Sequence, residues 1–375
     1  MPSSRSARIQ DHFADLTDPR RRKVVYPLID IVTIAVCAVI CGADDFVAIA
    51  DWAREKKDWL ATFLDVSGGT PSHDRFNAVL AALVPGEFEE CLLSWVTALH
   101  EITSGQVVAI DGKTLRGSYD RASGKSAIHM VSAWATANHI SLGQVVVDAK
   151  SNEITAIPEL LKMLEITGSL VTIDAMGCQA AIAEAIIARG ADYVLAVKEN
   201  QPTLYAGIEA HFLGHMEDDF ARVWVGRHEA TEHAHGRDER RTYYVCDAPA
   251  DLPDGSRWKG LKRIGVAISE TVRDGEASDA VRYYILSRRL GVRSFAAAVR
   301  GHWSIENRLH WQLDVTFGED RCRVRKGHAD ANFSALRRTA LSLLKNETTR
   351  KVGVKNKRLI AGWSASYLEQ VLFGS

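Results

Sequence analysis

Two apolar, β-branched runs in this chain end alike, on a single aspartate followed at once by small residues: Val107-Val108-Ala109-Ile110-Asp111-Gly112 and Leu170-Val171-Thr172-Ile173-Asp174-Ala175. They require a fold that buries both runs and brings their ends to polar surroundings. A carboxylate at the end of a buried strand is costly unless it is solvated or holds a cation, so the pair invites a metal site. A third acid, Glu306, lies much later in Arg300-Gly301-His302-Trp303-Ser304-Ile305-Glu306-Asn307.

Short β-branched runs alternate with helical patterns from about 105 to 198. The pattern predicts strands at 106–111, 128–137 and 144–147, a helix at 155–165, a strand at 170–174, a helix at 178–189 and a strand at 193–197. This β-β-β-α-β-α-β order, a meander followed by right-handed crossovers, defines the ribonuclease H-like α/β fold, in which the first and fourth strands are parallel neighbours. Asp111 and Asp174 then lie about 4.8 Å apart on adjacent strands, close enough to share a divalent cation. Asp148 also ends an apolar run, but two strands from Asp111 it is about 10 Å away and is set aside. Glu306 is placed by its helix, where Val299, Trp303, Glu306, His310 and Leu313 recur at steps of four and three, a stripe facing the sheet.

The flanking segments read differently. Residues 1–100 form an all-helical N-terminal domain, with helical spacing over 28–49, 52–64 and 76–99, and with glycines, Pro71 and Ser72 punctuating the link at 66–72. Helix, short turn, helix is compatible with DNA-end contact, although most such pairs are plain hairpins. Residues 101–199 make the first part of the core. Residues 200–285 interrupt it with an antiparallel β-rich insertion, signalled by alternating runs at 221–225, 241–245 and 281–286. Core completion, with the glutamate helix, occupies 286–345 through helices at 294–315 and 331–344, and a basic C-terminal tail follows over 346–375.

A hydrophobic content of 46% with 25% charged residues describes an ordinary globular chain, and 375 residues suggest two or three domains. The net charge of -1 hides an uneven distribution. From 321 to 360 twelve Lys and Arg face only Asp330 and Glu347, a local charge of +10 that a polyanion would feel. For Arg337 and Arg338 the plain alternative is a solvated helical face. Six cysteines form no CxxC pattern, so neither a zinc site nor a disulfide framework is indicated, and Cys37 and Cys41 read as buried thiols. His228, His233 and His235 lack ligand spacing for zinc and read as a solvated loop. The start shows no signal-peptide pattern and the longest apolar run is too short for a span, so a reducing cytoplasm is expected.

Three carboxylates and little else form a ligand set for hard cations. Mg²⁺ prefers oxygen ligands and phosphates, and paired ions serve in-line phosphoryl displacement.

Around these acids the chain resembles the DDE transposases of bacterial insertion sequences, most closely the H-repeat-associated group, also called ISAs-type, whose members sit in or near Rhs elements. The matching blocks, in order, are Ala109-Ile110-Asp111-Gly112-Lys113, Lys150-Ser151-Asn152-Glu153-Ile154, Thr172-Ile173-Asp174-Ala175-Met176-Gly177-Cys178-Gln179, Ala191-Asp192-Tyr193, Val197-Lys198-Glu199-Asn200-Gln201, His235-Gly236-Arg237, and His302-Trp303-Ser304-Ile305-Glu306-Asn307 with His310-Trp311. The resemblance implies that Asp111, Asp174 and Glu306 are the catalytic and metal-binding triad, holding two Mg²⁺, with Mn²⁺ able to substitute. It implies cleavage at the terminal inverted repeats of an element and strand transfer into target DNA, by a homodimer or higher oligomer that associates with the nucleoid when bound to DNA.

Many relatives carry an arginine four residues before the glutamate and a lysine seven after it, whereas this chain has His302 and Leu313. Phosphate contacts near the glutamate are therefore expected from Arg300, His302, Asn307, Arg308 and His310. Lys113, Arg116, Lys198, Asn200, Gln201 and Arg237 complete the expected DNA contacts. Trp303 and Trp311 suit stacking on an unpaired base, with core packing an equal account of Trp303. A stand-alone metal-dependent nuclease of the same fold, or a catalytically silent DNA-binding remnant of a mobile element, is the alternative reading.

Overall fold

The computed structural model describes residues 8–21, 24–100, 106–119, 126–147, 153–234, 237–273 and 276–373. In chain order these form helices α1 (Ile9–His12), α2 (Leu28–Ile40), α3 (Phe46–Glu55), α4 (Lys57–Leu60), α5 (His73–Ala82) and α6 (Pro85–Leu99), then strands β1 (Val107–Leu115), β2 (Ile128–Ala135) and β3 (Ile140–Val147). Next come α7 (Glu153–Met163), β4 (Leu170–Ile173), α8 (Ala180–Ala188), β5 (Asp192–Val197) and α9 (Pro202–Met216). Strands β6 (Gly226–Ala234), β7 (Arg237–Asp247), β8 (Arg263–Arg273) and β9 (Glu276–Leu286) lead to α10 (Val292–Ile305) and a π-helical turn, Glu306–His310. Helices α11 (Trp311–Val315), α12 (Ala329–Asn346), α13 (Val354–Trp363) and α14 (Ala365–Phe373) complete the described chain. The described residues gather into two compact units, one drawn from 1–103, 112–152 and 306–375, the other from 104–111 and 153–305.

The first unit is built on two helices buried nearly all round. Ile31 to Ile40 of α2 is almost wholly removed from water, and so is α12 from Ala329 to Leu344. Burial on every side follows for α2 from its unbroken apolar sequence. The single helix expected over 28–49 ends at Ile40, because Gly42 turns the chain at φ +108° and Asp45 caps α3 by accepting the Ala48 amide at 2.8 Å. The helix expected over 76–99 likewise divides. Pro85 disfavours helical backbone at Val84, which is extended, and instead occupies the first turn of α6. Strands β3, β2 and β1 follow in that order, β2 and β3 antiparallel with an irregularity at Ala133 and Trp134.

The second unit holds the order β1-β4-β5-β9-β8-β7-β6. The β1–β4 and β4–β5 pairs are parallel, and every pair from β5 onward is antiparallel. The region after residue 200 therefore extends this sheet through β9. It also contains a helix where strands alone were expected: α9 buries Leu204, Ile208 and Phe212 at steps of four after Pro202 in its first turn. The run 221–225 is turn and coil instead of strand, since Asp219 and Phe220 take left-handed backbone (φ +50° and +58°). Helix α10 seals the sheet with Phe295, edge-on to Tyr243 and Tyr284 at 6.2 and 5.4 Å between ring centres. Gly265 lets that ring approach, because a Cβ there would meet Phe295 at 2.6 Å.

Candidate active site

Register places the two aspartates. Strands β1 and β4 pair with Val107 opposite Leu170 and Ile110 opposite Ile173, so Asp111 and Asp174 are the next residue of each parallel strand. Neighbouring strands lie about 4.8 Å apart. Both aspartates are half-buried. One Asp174 oxygen accepts the amides of Met176 and Gly177 at 3.1 and 3.4 Å, which fixes the carboxylate against its own turn. Asn200 donates to the Ala175 carbonyl at 2.7 Å and Gln201 to the Cys178 carbonyl at 3.0 Å. These two side chains, expected as DNA contacts, brace the backbone that carries Asp174. A cavity of about 690 Å³ opens beside it, lined among others by Asp174, Met176, Lys198, Asn200 and Arg282. Lys198 is exposed on this wall.

The end of α10 is fastened to the same strand. His302 Nδ1 and Thr172 Oγ1 lie 3.2 Å apart, and Thr172 precedes Asp174 by two residues on the same face of the strand. The expected stripe along this helix holds only in part: Val299, His310 and Leu313 are buried, whereas Trp303 is 44% exposed and Glu306 is exposed. Beyond Ile305 the helix widens into a π-helical turn at Glu306–His310. Inside this turn a carboxylate oxygen of Glu306 and a ring nitrogen of the buried His310 lie within 4.8 Å of each other. Arg308 reaches His139 at 2.7 Å, Asn307 is exposed, and Leu313 is fully buried. Burial, with Arg308 and Lys345 adding repulsion, pushes the His139 pKa down to about 4.

The remaining cations divide into committed and open. Lys113 lies on β1, ion-paired to Asp314 and, at 3.0 Å, to Glu319. Burial works against the Glu319 charge, but Arg338, Lys113 and Arg337 with the Ser334 hydroxyl outweigh it and hold the carboxyl at about 2. Arg116 is largely exposed, 3.9 Å from Asp320. Arg300 bonds Glu232 at 2.8 Å, and Arg237 pairs with Glu239 at 3.1 Å. His228 and His233 belong to β6 and not to a loop: His228 stacks on Tyr243, and His233 bonds Asp238 at 2.6 Å. His235, Asp148 and the block 150–152 lie outside the described residues. Core packing does not account for Trp303, whose exposed ring carries Arg282 at 4.9 Å, and Trp311 is 51% exposed.

The basic segment is only partly a surface. Arg337, Arg338, Lys357 and Arg358 are buried, which removes the solvated-face reading of the first two. Arg358 reaches the Val39 carbonyl and the Asp44 carboxylate at 3.0 and 2.8 Å, and Arg337 the Asp44 carbonyl at 3.2 Å. These charges hold helices together and are not available to a polyanion.

Residues 102–343 match the family model described as the transposase DDE domain, and residues 10–96 match the model described as DDE_Tnp_1-associated. This chain belongs to the DDE transposases. The protein named "H repeat-associated putative transposase YhhI" of Escherichia coli (strain K12) is 41% identical to this DDE transposase over 98% of both chains. "Putative transposase YncI" of Escherichia coli O157:H7 is 42% identical over 96% of this chain and 93% of its own. The transposase therefore falls in the H-repeat-associated group, a family of enzymes that act on DNA and use divalent metal ions. Among solved structures, a piggyBac transposase synaptic complex with hairpin DNA matches 98% of this chain and 78% of its own at 11% identity and a TM-score of 0.44, too slight a likeness to carry an argument. Among the described residues, no helix of the transposase is long and apolar enough to cross a membrane.

Proposed function

We propose that Asp111, Asp174 and Glu306 form one catalytic carboxylate set on a ribonuclease H-like core, and that the enzyme cuts the inverted-repeat ends of an insertion element and joins them to target DNA. The observation that carries this reading is the parallel register of β1 and β4, which sets Asp111 and Asp174 level on neighbouring strands. Support for Glu306 comes from the bond between His302 and Thr172, because the glutamate follows His302 by four residues, about one helical turn of ~5.4 Å.

The donor chemistry fits a divalent metal. Level carboxylates at strand ends offer hard oxygen ligands without a thiolate, and one oxygen of Asp174 is already oriented by two amides, leaving the other for an ion. Two Mg²⁺ ions, or Mn²⁺ in their place, supply when bound an activated water or 3′-hydroxyl and stabilisation of the leaving oxygen. The chain's own groups position this chemistry. Asn200 and Gln201 fix the turn beneath Asp174, Lys198 offers a cation to a phosphate at the cavity wall, and His302 ties the helix to the strand. His310, within reach of Glu306 in the π-helical turn, is placed to orient that carboxylate. Joining two ends requires two copies of the site, so the working form is a homodimer or higher oligomer on DNA.

The test incubates purified protein with Mg²⁺, labelled element ends and a target duplex. Wild type is expected to yield cut ends and joined product, and Asp111→Ala, Asp174→Ala and Glu306→Ala to lose both by at least ~100-fold, more than is typical for losing an outer-shell group. Cutting without joining would favour a stand-alone nuclease. Equal background from wild type and all variants would refute catalysis.

A further inference from the structure

We infer that the segment 318–327, together with the starts of α3 and α5, forms a second DNA-binding groove, which grips the phosphate backbone of duplex DNA; this rests on the transposase reading above. The groove encloses about 1060 Å³ and lies wholly within the first unit, walled on one side by Asp44 to Val47, His73 and Asn77 and on the other by 321–327. Arg321, Arg323 and Lys326 line it and are exposed, and none of the three has an ion-pair partner among the described residues. Its acids are occupied: Asp44 pairs with Arg358 at 2.8 Å, and Asp45 caps α3. The groove thus presents three open positive charges against one carboxylate paired with a cation and one, Asp45, held by a backbone amide.

The basic wall is fixed in place. At one end Gly117 passes so close to the chain that a Cβ there would strike the carbonyl of Cys322 and lie 2.8 Å from that of Asp320, while Arg325 donates to the Gly117 carbonyl at 2.9 Å. At the other end Gly327, at φ +53°, packs against the Ala81 carbonyl, which also accepts the His328 amide at 3.0 Å. A segment of alternating cations held between two close backbone approaches loses little freedom when it meets a rigid polyanion, and duplex phosphates are the ligand whose charge density matches it. Backbone contacts carry no base information, so the groove supplies affinity and register but not choice of sequence.

The experiment measures binding of the full-length protein to three labelled duplexes, an element end, a scrambled end of equal length and a random target duplex, across a salt series. Wild type is compared with the triple variant Arg321→Ala, Arg323→Ala, Lys326→Ala and with the charge-keeping variant Arg321→Lys, Arg323→Lys, Lys326→Arg. The proposal predicts that the alanine variant binds more weakly, that its plot of log K against log salt is shallower by about 2 to 3 (~0.9 per phosphate lost), and that the charge-keeping variant restores both. Similar loss on all three duplexes is what backbone contacts require and supports the proposal, whereas loss confined to one duplex shows sequence-dependent contact and overturns it. A triple alanine variant with wild-type affinity and slope on every duplex overturns the groove while leaving the carboxylate site intact. Wild-type protein that binds no duplex overturns the groove and the reading beneath it together.

Discussion

Replacing Glu319 by Gln tests how the first unit is held. The carboxylate is 2% exposed, lies 3.0 Å from Lys113, 3.4 Å from Arg338 and 2.7 Å from the Ser334 hydroxyl, and is held at about 2 against an ordinary value of 4.5. At ~1.4 kcal/mol per pH unit, that interval corresponds to about 3 kcal/mol of stability, within the ~3–5 kcal/mol typical of removing one partner of a buried pair. The sign is fixed by the direction of the displacement. Because the folded carboxyl titrates below the unfolded one, its stabilisation is present above pH 4.5 and is lost as pH falls toward 2, about half remaining near pH 3. Urea unfolding of both proteins, followed by tryptophan fluorescence, to which the buried Trp95 and Trp134 contribute, measures the difference at pH 7 and pH 3. A loss below ~1 kcal/mol at pH 7, or one of equal size at both pH values, would refute the assignment of Glu319 as the charged centre of this network.

Glu89 behaves oppositely: burial, partly offset by Arg338 and Gln144, pushes its carboxyl up to about 7, so Glu89→Gln is expected to stabilise the fold above pH 7 and to change it little below pH 4.5, read by the same urea titrations. Asn200→Ala removes the bond to the Ala175 carbonyl and is expected to slow end cleavage about tenfold, by ~1.4 kcal/mol, with element-end affinity unchanged in anisotropy. Gly177→Ala would press a Cβ into Ile173 and to 2.9 Å from Ile157, displacing the turn that carries Asp174, so cleavage is expected to fall while the circular dichroism spectrum is retained.

Strands β1, β4 and β5 of the second unit were legible because each carries a run of apolar residues, many of them β-branched, whereas β6, rich in charge and histidine, was read as a loop; the register follows once β1 and β4 are neighbours. Asp111 and Asp174 were accordingly placed by pattern alone. Helix α9 was not read, although Pro202 and the four-step Leu204, Ile208 and Phe212 signal it, because Gly207, His211, Gly214 and His215 dilute its apolar face. A 3.6-residue count put Trp303 and Glu306 on a buried stripe where both are exposed, and the π-helical turn that follows leaves no periodic trace. Charge counting could not separate Arg337, Arg338, Lys357 and Arg358, which bond helices internally, from Arg321, Arg323 and Lys326, which face solvent. Asn200, Gln201 and His302 were picked out by type and position as DNA contacts. Their bonds to Ala175, Cys178 and Thr172 show them fixing the scaffold of Asp174, a role that only partners in space reveal.

The central claim is that three carboxylates act as one unit, and the most direct measurement is the rate of Mg²⁺-dependent end cleavage by Asp111→Asn, Asp174→Asn and Glu306→Gln singly and combined, each at saturating DNA. Residues that act as a unit lose activity non-additively, so each single variant is expected to fall to the background of the triple variant. A single variant that keeps more than about a tenth of the wild-type rate, or losses that multiply from single to triple, would contradict the account.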